Sequence, residues 1–326
     1  MMAGRVGLQL PQAYSTTTQT RILTRNRRNR RNVSSLCSTS TSTFLWSSRK
    51  TRARQTTATR AADTGSVQVE GESFRYLSVL EKGKVLRCHP DGSSGGDGDE
   101  SVCPAELILP NAGEGESAQG KERRVLFFLS HFGDLTSWEY AQKLKEKMDV
   151  LLASSSGVSV VGLGSPEAGR KFAELLDFPI DKCTLYAEPE GTLYKDLGFA
   201  QGFLPEAQVS PYVKLLGMLA GVGSPGTIQE VLRGYIGDRD SKQIFENSPF
   251  DILGKGYQRP FELATLRLSN MIGILPNWSD LVSDEKLLTQ QGGTMVFEGE
   301  NLIHLQKDDG ILKYASIDKV IEALEQ

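Results

Sequence analysis

Asp134 and Ser137 lie three residues apart where an apolar run gives way to a helical stripe, and Cys88, Cys103 and Cys183 are the only thiols beyond residue 60. A carboxylate at a helix start can satisfy free backbone amides but is a weak nucleophile, and a serine hydroxyl attacks only with an adjacent base. Thiol chemistry needs a thiolate, which forms where a helix N-terminus or a cation lowers the pKa. Lys182 precedes Cys183, but neighbours in a strand point to opposite faces, so Cys183 reads as a buried structural thiol. Cys88 and Cys103 bracket a Gly/Asp-rich insert and could close a 14-residue loop as a switchable disulfide, against two unpaired thiols.

Cofactor and metal signatures fall short. Cys88, His89 and Cys103 offer three ligands at irregular spacing and no fourth, not the closed tetrahedron of structural zinc. The run Gly162-Leu-Gly164-Ser-Pro-Glu-Ala-Gly169 follows a strand and opens a helix, but its third glycine is misplaced for a dinucleotide fingerprint and Pro166 occupies the turn. No cofactor and no metal is expected.

Alternating strands and helices must position these residues. Residues 124–129 read as a strand, and Trp138, Ala141, Leu144, Met148 and Leu151 form an apolar stripe at spacings of three and four. Thr136-Ser-Trp-Glu139 reads as a capping box, with Asp134 as a further cap type. Residues 158–163 read as a buried strand, Ser165-Pro166 as a cap and first helical residue, 167–176 as a helix, 183–187 as a strand and 190–197 as a short helix ending at Gly198. Short connections between such units imply right-handed crossovers and a parallel sheet. Strands at 294–298 and 301–306 with a turn at Gly299-Glu300, then a helix at 317–324, complete the sheet. Upstream, 74–80, 84–88 and 106–109 read as strand-like pieces flanking a low-complexity loop at 91–100, with a second loop at 111–119.

Residues 1–60 hold 11 Arg, 1 Lys, many Ser and Thr and no Asp or Glu, the composition of an organelle transit peptide. Its Ser and Thr content favours a plastid. Removing it leaves 25 Lys+Arg against 40 Asp+Glu, a formal charge of about −15, which argues against a nucleic-acid partner. No window reaches the roughly 18 uninterrupted apolar residues of a membrane span, and three remaining cysteines make no disulfide framework.

Three motifs carry a resemblance. Phe132-Gly133 at the strand-to-helix junction, Leu185-Tyr-Ala-Glu-Pro-Glu190 with Leu193-Tyr-Lys-Asp-Leu-Gly198, and Gln290-Gln-Gly-Gly-Thr294 before the hairpin occur in the order found in the peroxiredoxin-like, AhpC/TSA antioxidant-enzyme branch of the thioredoxin superfamily. The chain resembles that family over about residues 124–200 and 288–326. The resemblance implies a thioredoxin-like sandwich and, in members that keep the Cys-x-x-Cys after Phe-Gly, thiol-dependent reduction of peroxides. Here Asp134 and Ser137 stand where those two sulfurs would be.

The expected architecture is therefore α/β: a presequence over 1–62, an N-terminal extension over 63–123, and a thioredoxin-like domain over 124–326 with a helical insertion at 199–286. The expected function is a chloroplast binding or assembly factor that is not a conventional peroxidase, in the stroma or peripheral to the thylakoid. Its expected partner is a plastid protein, thioredoxin or a thylakoid complex, met through apolar surface of the insertion. The alternative is a thiol oxidoreductase with its redox centre moved to Cys183 or to the Cys88/Cys103 pair. A non-redox site between Asp134 and Gln290-Gln291 has no residue set that specifies a reaction.

Overall fold

The computed structural model describes residues 65–89, 100–109 and 122–326, with the backbone alone at 65–70. The expectations for 1–62, the loop at 91–99 and the loop at 111–119 lie outside the described residues. In chain order come α1 (Gly65–Lys82), β1 (Val85–Arg87), β2 (Ser101–Val102), a 3-10 turn (Pro104–Leu107), β3 (Arg123–His131), α2 (Leu135–Ser154), β4 (Gly157–Leu163), α3 (Pro166–Leu176), β5 (Thr184–Glu188) and α4 (Thr192–Asp196). Then follow α5 (Pro211–Leu219), α6 (Thr227–Ile236), α7 (Glu262–Ile274), α8 (Trp278–Leu281), β6 (Gly293–Glu298), β7 (Asn301–Lys307) and α9 (Ile317–Glu325).

Seven strands form one sheet in the order β2-β1-β5-β4-β3-β6-β7. β3, β4 and β5 run parallel, while β6 runs antiparallel to β3 and β7 antiparallel to β6. A βαβ half joined to a β-hairpin and a closing helix is the thioredoxin-like α/β sandwich implied by the resemblance. The central strands are apolar on both faces, as a sheet covered on both sides requires. Val125, Phe127, Val160 and Val296 pack with α2, α3 and α9 on one side. Leu126, Phe128, Val161 and Met295 pack with α1 and α4 on the other.

Two upstream elements differ from expectation. Residues 74–80 are helical, because Ser73, Tyr76, Leu77 and Leu80 are the buried positions and repeat with helical spacing, leaving Phe74 in solvent. Residues 106–109 lie in and after a 3-10 turn opened by Pro104, not in a strand.

The insertion is fastened to the core by a buried ion pair. Arg267 of α7 donates from Nε to Glu139 Oε2 of α2 at 2.7 Å and from Nη2 to Oε1 at 3.3 Å. The Tyr314 hydroxyl donates to Oε1 at 2.5 Å, and Arg267 Nη1 reaches the Glu230 carbonyl at 2.8 Å. One turn along, the side-chain amides of Gln142 and Asn270 exchange hydrogen bonds of 2.9 and 3.0 Å. Within the insertion, fully buried Arg259 holds residues 245–262 in place by bonds to Glu262 and to the Phe245 carbonyl, each 2.5 Å.

Burial alone would push the Glu139 carboxyl up, but the bond and charge of Arg267 outweigh it and hold it below its ordinary value of 4.5. A carboxylate lowered in the folded state contributes stability above its unfolded pKa and loses it as pH falls through the folded value. Arg267→Ala leaves buried Glu139 with only the Tyr314 hydroxyl and the exposed Lys143 to balance it and should cost about 3–5 kcal/mol in denaturant unfolding at neutral pH. The deficit should shrink as pH drops below 4.5. A variant as stable as the parent at neutral pH would show that the pair does not fasten the insertion.

Candidate functional site at the start of the second helix

β3 ends on Ser130 and His131, and Phe132-Gly133 turns the chain into α2. Asp134, with extended backbone, is the N-cap, its Oδ1 accepting from the Thr136 amide at 3.2 Å. Its Oδ2 accepts from the Ser130 hydroxyl at 2.5 Å, and Ser130 Oγ lies 2.8 Å from Ser137 Oγ. Because the Ser130 proton goes to the carboxylate, Ser137 donates to Ser130. The result is a relay from buried Ser137 through buried Ser130 to half-buried Asp134. The cap is a correction to the expected capping box: Thr136 lies inside the helix with its hydroxyl accepting from the Leu312 amide, and Glu139 is taken by Arg267.

This relay fills the start of α2 with a carboxylate and two hydroxyls and no thiol. The positive end of α2 already carries an anion, which the helix dipole stabilises by about 0.3–1 kcal/mol. The base these hydroxyls meet is the Asp134 carboxylate, which Ser130 engages directly and Ser137 only through Ser130. The nearby imidazole of His131 is only 4% exposed, and its Nδ1 has no hydrogen-bond partner. Burial lowers the His131 pKa below 6.5, with the charge of Asp134 pulling the other way.

The insertion closes over this corner. The Trp278 ring meets His131 edge-on at 6.0 Å between centroids. A Cβ added at Gly133 would lie 2.7 Å from Val282 Cγ2, so a side chain there would displace the cover. Ser283 Oγ accepts from the Ser165 amide at 2.9 Å, tying the same segment to the start of α3. Ser165 and Pro166 cap α3 as expected. The glycines that loosely suggested a dinucleotide loop have a packing role. A Cβ at Gly162 would lie 2.4 Å from the Phe132 ring, and one at Gly169 would lie 2.4 Å from Cys88 Sγ. Together they form a socket for the aromatic ring and the thiol.

The cysteines are dispersed. Cys183 precedes β5, donates to the Pro179 carbonyl at 3.6 Å, and has its pKa pushed up to about 12 by burial and by Asp181. Cys88 is buried, and Cys103, half-buried, donates to the Leu80 and Glu81 carbonyls at 3.5 and 3.4 Å. Of the two alternatives for Cys88 and Cys103, a bridge or two separate thiols, the structure has separate thiols. Val85 pairs with Val102, so Cys103 falls opposite residue 84, four positions from Cys88. Four residues of strand span roughly 13 Å, against a Cα separation of about 4.4–6.8 Å in a disulfide.

Gln290 and Gln291 are committed to structure. Their amides donate to the Ala200, Gln291 and Thr289 carbonyls and fasten the entry to the hairpin. Sequence reasoning missed Ser130 and two buried acids. Glu188, at the end of β5, is raised by burial despite the backbone amides of Gly191, Glu190 and Thr192, and Asp308, just after β7, is raised well above its ordinary value by burial. Their charges both reach the buried hydroxyl of Tyr194, which bonds to the Leu129 and Val161 carbonyls at 2.7 and 3.0 Å. Only the folded sheet brings these residues to one end. Among the described residues no cluster of His, Cys, Asp or Glu is arranged to hold a metal ion.

A histidine whose folded pKa lies below its unfolded value leaves the unfolded chain binding more protons, so its share of stability is full above 6.5 and declines as pH falls below it. Unfolding free energy should therefore slope downward with acidification below pH 6.5, less steeply in His131→Gln; equal slopes would show that His131 is not held neutral. Asp134→Ala removes the cap and the acceptor of Ser130 and should cost about 1–2 kcal/mol by thermal or denaturant unfolding.

Comparison with known proteins places this geometry. The family model described as AhpC/TSA antioxidant enzyme matches residues 143–310, starting downstream of the Asp134 corner. A curated relative, "Thioredoxin-like protein AAED1, chloroplastic" of Arabidopsis thaliana, is 31% identical over 144 residues, 41% of this chain and 57% of the relative. The chain thus spans somewhat over half of that relative's length. Among solved structures, peroxidoxin BcpB from Mycobacterium tuberculosis is 12% identical with a TM-score of 0.35, covering 74% of this chain and 91% of its own. A Plasmodium vivax 2-Cys peroxiredoxin in its reduced form is 11% identical with a TM-score of 0.34, covering 74% and 76%. With half of its length matched by the family model and a thioredoxin-like sheet, the chain belongs to the AhpC/TSA, peroxiredoxin-like family of thioredoxin-fold proteins.

Proposed function

We propose that this chain is a chloroplast binding or assembly factor built on the peroxiredoxin-like fold and serving redox or photosynthetic complexes, without peroxidase chemistry at the family position. The observation that carries this reading is the relay of Ser137, Ser130 and Asp134 at the start of α2, where a thiolate would have to stand. A peroxidatic step needs a thiolate to attack a peroxide oxygen and a second thiol to resolve the product. Cys183 is held as a thiol by its raised pKa, and Cys88 is kept from Cys103 by the strand register. The plastid location is supported by the Arg-, Ser- and Thr-rich first sixty residues and by the chloroplastic relative from Arabidopsis thaliana.

A protein partner, thioredoxin or a thylakoid complex, would find a polar surface in the groove of about 1180 Å³ between α2, α6 and the segment leading into α9. Lys143, Arg233 and Lys313 line it together with Glu146, Asp240 and Asp318. Charges of both signs suit recognition of a folded polar surface better than of a small apolar ligand.

The test is peroxide consumption by the full chain, with thioredoxin and its reductase as electron source. Turnover no higher than that of a variant with Cys88, Cys103 and Cys183 changed to Ser is expected. Turnover that disappears in that variant would establish a relocated thiol peroxidase and overturn the proposal.

A further inference from the structure

We infer that residues 278–283 form a proton-operated cover over the start of α2, shut while the His131 ring is uncharged and displaced when the ring takes up a proton. The device concerns access to this corner and holds whatever binds there.

The ring is caught beneath the cover. His131 ends β3 and is 4% exposed. A Cβ built on Gly133 would lie 3.5 Å from His131 Nδ1, 3.4 Å from Leu281 Cβ and 2.7 Å from Val282 Cγ2, which places Nδ1 against the underside of the cover. The Trp278 ring closes over the imidazole edge-on at 6.0 Å. Nδ1 has no hydrogen-bond partner. A neutral imidazole can leave one nitrogen unused, whereas an imidazolium carries two N–H donors that both need an acceptor or water.

Charge draws a proton to this ring without housing it. Among the described residues the charge acting on the ring is that of Asp134, which favours the protonated form against burial. Its two oxygens already accept from the Thr136 amide and the Ser130 hydroxyl, and the positive end of α2 opposes a second cation beside it. The cover brings no acid to the ring. Asp280 is exposed beside Ser279, Asp284 accepts from the Lys286 amide, and Glu285 accepts from the Tyr212 hydroxyl. On α3, Glu167 and Arg170 pair with each other at 2.9 Å. The charged ring is therefore solvated only with the cover off.

The cover is also built to lift by itself. α8 is a single turn set between 3-10 turns at Leu275–Asn277 and Glu285–Leu287. Buried Leu281 and Val282 hold it by apolar contact, and Ser283 ties its end to the Ser165 amide through an exposed bond of 2.9 Å. α7, just before it, is fixed to α2 by Arg267 and Asn270. Opening can thus stay local, leaving α7 and the sheet in place.

The test is hydrogen–deuterium exchange of the full chain, read by mass spectrometry from about pH 7.5 to 5 and corrected for the intrinsic pH dependence of amide exchange. Protection of residues 278–283 should fall by up to about tenfold per pH unit, while that of α7 and of β3 to β5 holds. The His131 ring, followed by NMR in the same protein, should titrate over the pH range in which that protection is lost. In His131→Gln, protection of 278–283 should not vary with pH, whatever its level. The inference is overturned by protection of 278–283 that is constant with pH in the parent, that falls in step with α7 and the sheet, or that still falls in His131→Gln. A ring titration displaced from the loss of protection would overturn it without recourse to any variant.

Discussion

The buried ion pair of Glu139 with Arg267 is the constraint on which the arrangement depends. Glu139 faces inward one turn into α2, where an unpaired carboxylate would be costly, and its partner comes from α7, 128 residues later. Satisfying that one charge fixes the insertion against α2. From α7 the chain then passes through Trp278 and Val282, which cover His131 and Gly133. The same residue that would have completed a capping box is thereby withdrawn from the helix start, leaving Asp134 to cap α2.

Fold and chemistry separate cleanly here. The sheet has the thioredoxin-like order, and Phe132 packs into its glycine socket at the strand-to-helix turn. The position that would benefit from the helix dipole holds a carboxylate bound to a serine relay. A helix dipole of the kind that can lower a thiol pKa here faces the Asp134 side chain.

Much of the frame was legible because it is written in short-range periodicity. The α2 stripe from Trp138 to Leu151, the Ser165-Pro166 cap and the Gly299 turn are local signals, and all appear in the structure. Residues 74–80 misled because Phe74, Tyr76, Leu80 and the apolar residues between them fit alternation loosely and helical spacing equally, and burial against the 3-10 turn at Pro104–Leu107 and β7 decides the matter. The site was legible only as single residues. Ser130, Glu188 and Asp308 belong to three different strand ends, and Arg267 finds Glu139 across the insertion, so no local pattern could bring them together. The separation of Cys88 from Cys103 likewise rests on a strand register that loop length alone does not reveal.

The most direct measurement is intact-mass analysis of the full chain after hydrogen peroxide in the presence of dimedone, with peptide mapping of any adduct. An occupied helix start and dispersed, shielded thiols predict no sulfenic-acid adduct on Cys88, Cys103 or Cys183 at peroxide concentrations that label a working peroxiredoxin. Rapid, stoichiometric labelling of any of these three would contradict the proposal that this chain works without thiol chemistry.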